Sequence, residues 1–215
     1  MTAFTILLNG PIKVTRRLKE QASGSRAIAA DAGIAHAGPL GLKVELWVGD
    51  FDSTTKVLAA LHEQVPRQTF PVAKDKTDGE LAAEEALKRG ATSLLLVGSF
   101  GGQADHALGH SALALKLVRA GVRTVLTSGE EEAHPVLPGK TELDLPSDSR
   151  LSLIALADLS GLTLRGTHWT LDKAEIELGS TRTISNITTG KVEIVLASGY
   201  GMLIVYPKAD LAHEE

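Results

Sequence analysis

Apolar positions in the first 126 residues gather into short runs with few polar interruptions, at residues 4–8, 27–30, 44–48, 69–72, 93–97 and 122–126. Apolar-rich runs of that length predict buried strands. The intervals between them carry helical signals. A polar stretch at 14–21 is stopped by Gly24, and Val57, Leu61 and Val65 recur at four-residue spacing between Ser53, a candidate N-cap, and Pro66. Thr77 and Glu80 fit a capping box, Ala82/Ala86 and Ala83/Leu87 give the helical period, and Gly90 supplies a stop. Leu108, Ala112 and Leu115 mark one face of a further helix that ends near Gly121. Strands alternating with helices predict a largely parallel sheet with helices on both faces.

The pattern changes at residues 128–138, where Gly129, three consecutive glutamates, His134, Pro135 and Pro138 read as a linker or exposed loop. Beyond it no helical period survives. Short apolar runs at 151–156, 162–164, 175–178, 192–196 and 202–205 alternate with Gly, Ser, Asp and Asn, which predicts a small antiparallel sandwich or barrel. The expected fold is therefore an α/β domain over residues 1–130, a largely parallel sheet with flanking helices, followed by an all-β sandwich or barrel over 138–215.

Composition narrows the class without naming a function. The chain has 215 residues, 43% hydrophobic and 22% charged, with a net charge of −4. That balance offers no basic surface for nucleic acid. No cysteine is present, so disulfides and thiolate chemistry are excluded. The opening ten residues have no basic flank and too short an apolar run for a secretion signal, and no stretch reaches membrane-spanning length. A cytoplasmic protein with no membrane partner is expected.

The candidate chemistry gathers at strand ends. The run at 44–48 breaks at Gly49 and delivers Asp50 and Asp52, one residue apart and pointing the same way by strand alternation. Lys74-Asp75-Lys76-Thr77-Asp78 places two more carboxylates at a helix entrance, and Gly98-Ser99-Phe100-Gly101-Gly102-Gln103-Ala104-Asp105-His106 follows another apolar run. An open α/β sheet builds its site at this carboxyl edge. Converging carboxylates repel unless a cation lies between them, and Mg²⁺ suits oxygen ligands and phosphate substrates. Any one of these acids alone reads equally well as a helix cap or first-turn acid, Asp78 above all. The ordered set is what favours a site. The glycines would let backbone N–H groups approach an anion, yet neither a Walker loop nor a dinucleotide fingerprint is present.

Together these stretches resemble the thiamine pyrophosphokinase (thiamine diphosphokinase) family. Gly49-Asp50-Phe51-Asp52-Ser53 matches that family's Gly-Asp-x-Asp-Ser motif, and Asp75-Lys76-Thr77-Asp78 its Asp-x-Thr-Asp motif. The segment from Gly98 to His106 is similar to its Gly-x-x-Gly-Gly-Arg-x-Asp-His motif, and Ala30-Asp31 to the start of its Ala-Asp-Gly-Gly-Ala segment. The motifs stand in order over nearly the whole chain. In the tail, Gly166-Thr167-His168-Trp169-Thr170-Leu171 and Ser185-Asn186 resemble the thiamine-contacting stretches.

The resemblance implies an α/β domain followed by a β-sandwich, acting as a homodimer that moves the pyrophosphoryl group of ATP to thiamine and releases AMP. It implies catalytic roles for Asp50, Asp52, Asp75 and Asp78, with Asp50, Asp52 and Asp78 holding Mg²⁺. Asp31, Lys74, Thr77, Gly98, Gly101, Gly102, Gln103, Asp105 and His106 would seat the nucleotide, and Trp169, Ser185 and Asn186 would meet thiamine. An aromatic face on a cationic thiazolium is sound chemistry, although the residues alone leave a core role for Trp169 equally open. A carboxylate such as Asp78 or Asp31 could orient or deprotonate the acceptor hydroxyl, and the sequence leaves the identity of the base open. Two departures stand out. Gln103 replaces the usual Arg and removes a fixed cation, for which Lys74 or Lys76 are candidate substitutes. Ala32-Gly33-Ile34-Ala35-His36 replaces Gly-Gly-Ala-Asn. The alternatives are a sister pyrophosphokinase on another heterocyclic alcohol, such as a hydroxymethyl pterin, and a catalytically silent thiamine- or nucleotide-binding protein.

Overall fold

The apolar runs become a parallel sheet in the computed structural model, which describes residues 2–51, 54–71 and 75–208. The chain divides into two units, Met1–Glu130 and Glu131–Glu215. In the first unit the elements follow in the order β1 (Ala3–Leu7), α1 (Arg16–Ala22), β2 (Arg26–Ala30), a 3-10 turn (Asp31–His36) leading into α2 (Ala37–Leu40), and β3 (Val44–Gly49). Then come α3 (Lys56–Leu61), β4 (Arg67–Thr69), α4 (Asp78–Lys88), β5 (Ser93–Val97), α5 (Ala104–Arg119) and β6 (Arg123–Thr127). The strands lie in the order β6-β5-β1-β2-β3-β4, every neighbouring pair parallel.

Strand alternation sorts the apolar residues between two helix layers. Leu7, Ala27, Ala29, Trp47, Leu95 and Val97 share one core with Leu18 and Ala22 of α1 and with Ile34, Ala37 and Leu40. Ile6, Ile28, Leu46, Val48, Leu94 and Leu96 are the buried alternates. Helix α4 lies against β1, β2 and β3 and buries Leu81, Ala82, Ala83 and Ala86. Its start is the expected one, because Thr77 Oγ1 accepts the Glu80 N–H at 3.3 Å. The Glu80 carboxylate is engaged by Lys116 Nζ at 2.8 Å.

Three local expectations change. The N-cap of α3 is Thr55, whose Oγ1 accepts the Leu58 N–H at 3.2 Å, and Ser53 lies outside the described residues. Val57 and Leu61 are exposed, while Leu58 and Val65 pack on the core. In α5 the expected face is also the wrong one: Leu108 is exposed and the buried residues are Ala114 and Leu117. Both helices are apolar on more than one side, so periodicity cannot choose the face that the sheet covers. The predicted strand at 69–72 is the three-residue β4, and Val72 lies outside the described residues.

The second unit is antiparallel throughout, with β7 (Glu132–Val136), β8 (Gly139–Leu143), β9 (Arg150–Ala155), β10 (Leu159–Thr167), β11 (Leu171–Ile176), β12 (Asn186–Leu196) and β13 (Gly201–Tyr206). Strand β13 pairs with both β7 and β9, and β10 pairs with both β11 and β12. The long β12 joins the two groups, pairing with β9 through Asn186 and Ile187 and with β8 further along. Leu151, Leu153, Leu203 and Val205 from one group meet Leu162, Leu164, Val192, Ile194 and Leu196 from the other in a single core. This is the sandwich arrangement expected of the tail.

Strand β7 falls inside the stretch read as a linker. Its polar composition is accommodated because the buried Glu132 carboxylate meets His134 Nε2 at 3.2 Å. On β8 and β12, Glu142 and Glu193 stand directly opposite each other. Like charges so placed repel, and Lys140 Nζ bridges them at 3.2 and 2.7 Å.

The α5 assignment makes a direct prediction. Leu117→Ala costs about 2–5 kcal/mol of stability through cavity formation, whereas Leu108→Ala shifts it by less than about 0.5 kcal/mol. Urea denaturation midpoints of the two variants check this.

Candidate active site

The carboxyl ends of the parallel strands converge where the strand order reverses. From β1 the chain proceeds to β2 on one side and later returns to β5 on the other. Loops leaving such a pair diverge and open a crevice between them. Here the crevice floor is main chain: Leu8 N–H donates to Val97 O at 2.8 Å and Gly10 N–H to Gly98 O at 3.1 Å. A Cβ on either Gly10 or Gly98, which has φ +77°, would run into the other loop's carbonyls. Glycine is thus dictated by close approach and, at Gly98, by the left-handed backbone.

Above this floor lies a cavity of about 430 Å³, within the range of small-molecule sites. The β1 loop contributes Leu8, Asn9, Gly10 and Pro11, β2 contributes Ala30 and Asp31, and α4 contributes Thr77, Asp78 and Gly79. The β5 loop adds Gly98, Ser99, Gly101, Gly102 and Gln103, and α5 adds His106 and His110. Most of the residues assigned to the nucleotide from sequence are therefore brought together, namely Asp31, Thr77, Gly98, Gly101, Gly102, Gln103 and His106.

The acids form a tight group. Asp31 opens the 3-10 turn with φ +43°, and its main-chain carbonyl accepts the Trp47 indole N–H at 2.7 Å. Burial pushes its carboxyl pKa up to about 7, helped by a hydrogen bond and charge repulsion from Asp78 and by repulsion from Asp50, while the Phe51 N–H opposes the rise. Asp31 Oδ1 is buried and has no hydrogen-bond partner among the described residues. Gly49 lies against this group, since a Cβ there would overlap the Asp31 carboxylate. Carboxylate oxygens that crowd one another in this way are of the chemical type that a hard divalent cation takes as ligands. Among the described residues no three acidic or histidine side chains form a ready-made metal cluster.

Other predicted residues have different surroundings. Asp105 is an exposed acid in the first turn of α5, where its Oδ1 accepts the His106 N–H at 2.9 Å, and it does not line the cavity. Asp75 is exposed and also off the cavity wall. Lys76 Nζ is held by Glu84 Oε1 at 2.6 Å and does not line the cavity, so it is not a substitute for the missing arginine. Asp52 and Lys74 lie outside the described residues.

In the second unit Trp169 is 63% exposed. Its backbone is clamped by Asn186, whose Oδ1 accepts the Trp169 N–H at 3.1 Å and whose Nδ2 donates to Trp169 O at 2.7 Å. Asn186 Oδ1 also accepts the Ile187 N–H at 2.9 Å, so this buried amide is occupied with main chain. Ser185 has φ +62°, and its N–H donates to Ser152 Oγ at 2.9 Å.

Sequence reasoning missed the β1 loop, read as a plain turn, and two histidines. His36 Nε2 donates to Gly10 O at 3.0 Å and His110 Nδ1 to Ser99 O at 3.3 Å. Burial lowers both pKa values, consistent with neutral rings tying down the two crevice loops. The available signal was topological, because the first strand of such a sheet is central and its loop borders the crevice.

Fold and site together define an α/β domain with a crevice at the carboxyl ends of its parallel strands, followed by a β-sandwich. The family model for the thiamin pyrophosphokinase catalytic domain matches residues 18–126, and that for the thiamin pyrophosphokinase vitamin B1 binding domain matches residues 140–200. The chain belongs to the thiamine pyrophosphokinase family. It is 33% identical over 148 residues to the thiamine pyrophosphokinase of Bacillus subtilis, an alignment spanning 64% of this chain and 66% of the relative. The crystal structure of thiamine pyrophosphokinase from Bacillus subtilis superposes with a TM-score of 0.85 at 26% identity, covering 98% of this chain and 100% of that one. The yeast thiamin pyrophosphokinase structure shares the fold, with a TM-score of 0.76 at 15% identity over 98% of this chain and 88% of that one.

Two outcomes follow from the acid group. In metal-free protein Asp31 binds its proton more tightly folded than unfolded, so its contribution to stability is lost as pH rises from about 4 to about 7. Asp31→Asn, which tolerates the left-handed backbone, removes that slope and is the more stable protein above pH 7 without metal, as thermal unfolding across pH would show. Gly49→Ala displaces the Asp31 carboxylate and lowers turnover by at least about 100-fold, in line with the cost of misplacing reacting groups by an ångström, with steady-state kinetics as the measurement.

Proposed function

We propose that this protein transfers the pyrophosphoryl group of ATP to thiamine, forming thiamine diphosphate and AMP with Mg²⁺ as the required cation. The observation that carries the reading is the pairing of Asp31 with Asp78 on the wall of a glycine-lined crevice, with Asp50 near enough to repel the Asp31 carboxylate. Family membership supplies the substrate pair. The first unit would bind nucleotide and metal, and the second would bind thiamine and contribute to a homodimer in the cytoplasm.

In this reading Asp50, Asp52 and Asp78 hold the cation, whose chemistry when bound is to neutralise charge on the triphosphate. Thr77, Gly98, Gly101, Gly102, Gln103 and His106 seat the nucleotide, joined in that role by Lys74 and Asp105, and Asp75 keeps a catalytic role. The glycine loop presents main-chain N–H groups to phosphate oxygens. Asp31 or Asp78 orients the acceptor hydroxyl and takes its proton as the hydroxyl oxygen bonds to the β-phosphorus. The bond from that phosphorus to the α,β-bridging oxygen breaks, and AMP leaves. No protein nucleophile is needed, because alignment and charge neutralisation supply the rate. Trp169 offers its exposed indole to the thiazolium, Ser185 lies at the edge of that surface, and Asn186 fixes the Trp169 backbone.

The test is AMP formation with ATP, Mg²⁺ and thiamine, beside Asp50→Asn and Asp78→Asn. Thiamine-dependent AMP that falls by at least about 100-fold in both variants is the expected result, a loss typical of removing electrostatic stabilisation from a transition state. AMP formed only with a different heterocyclic alcohol would move the substrate. Thiamine binding without any AMP would make the protein a silent binder.

A further inference from the structure

The acid group depends on two residues in a backbone region that most side chains avoid, Asp31 at φ +43° and Phe51 at φ +62°. For a bulky aromatic such as Phe51 this is a genuine outlier, sustained only where surrounding contacts over-determine it. One side chain touches both. Trp47 is fully buried in β3, two residues before Gly49. Its Nε1–H donates to the Asp31 main-chain carbonyl at 2.7 Å. Its ring meets the Phe51 ring edge-on, with centroids 5.1 Å apart at 90°. The Arg67 guanidinium covers the indole at 4.6 Å and also lies 5.5 Å from the Phe51 ring. Arg67 is itself anchored, donating from Nη2 to Ala59 O at 3.0 Å.

We propose that Trp47 is a positioning residue for the acid cluster: its indole N–H fixes the Asp31 peptide and its ring fixes the Phe51 backbone, so that Asp50, next to Phe51, is held towards the cation with the Asp31 turn beside it. The Phe51 N–H then points at the Asp31 carboxyl and spans the two loops. A buried indole needs a partner for its N–H, and here the chain spends that donor on the residue that opens the acidic turn. An ordinary core aromatic would fill volume without making this link. Partners that orient metal ligands in this way typically change metal affinity or activity by about 10–100-fold when removed.

The inference rests on the reading of these acids as the divalent-cation site, and the experiment separates the two. Mn²⁺ affinity is measured by titration calorimetry for the parent and for Trp47→Phe, which keeps an aromatic ring and loses the donor. The Mg²⁺ dependence of AMP formation and the KM for thiamine are measured alongside. The expected result is a Kd for Mn²⁺ and a half-saturating Mg²⁺ concentration raised by about tenfold or more, with KM for thiamine unchanged. A variant that only melts at lower temperature, with metal affinity intact, overturns the role of Trp47. A parent that binds no Mn²⁺ overturns the cation site itself and this inference with it.

Discussion

Burial of the Asp31 carboxyl beside Asp78 and Asp50 is the constraint that the loops at this sheet edge have to accommodate. Carboxylates left to themselves would separate into water. Here left-handed backbone at Asp31 and Phe51, a Cβ-free Gly49 and the buried Trp47 hold them together. The confinement has a measurable signature, an Asp31 pKa lifted to about 7 by burial first and neighbouring charge second. The energy that holds these oxygens close comes from the packed sheet beneath them.

The departures from the family's motifs gain physical content in this setting. The segment 32–36 folds as a 3-10 turn in which Ile34 enters the core and Gly33 packs so closely on the Leu7 carbonyl that no side chain would fit. His36, at its end, ties the turn to Gly10 and so links the Asp31 loop to the β1 loop. The changed sequence therefore supplies its own support for the crevice. At Gln103 no compensating cation appears among the described residues lining the cavity, whose ionisable side chains are Asp31, Asp78, His106 and His110. A cavity so lined offers a polyphosphate main-chain donors in place of a fixed positive charge.

The second unit shows the same economy of polar groups. Asn186 is buried and committed to the backbone around Trp169, which leaves the indole displayed while the loop that carries it is fixed. Opposed glutamates on β8 and β12 are reconciled by Lys140, and a charged strand, β7, is made tolerable by the pairing of Glu132 with His134. Each of these solutions joins residues whose partners are set by strand register and sheet edge.

Much was legible in the chain itself. Apolar runs ending in Gly49, Asp31 and Gly98 marked strands and their carboxyl ends, and the ordered acid and glycine motifs pointed to one edge and one family, because strand alternation and turn chemistry are local rules. The face buried by α5, the cap of α3 and the strand β7 were not legible, since neighbours from elsewhere in the sheet choose among locally equivalent options. Only the tertiary structure brought the Asn9-Gly10 loop against Gly98, separated Asp105 from the cavity, and placed Trp47 between Asp31 and Phe51. Those arrangements depend on strand order, which decides which distant loops share an edge, and strand order is a property of the whole packed sheet that no short stretch of sequence encodes.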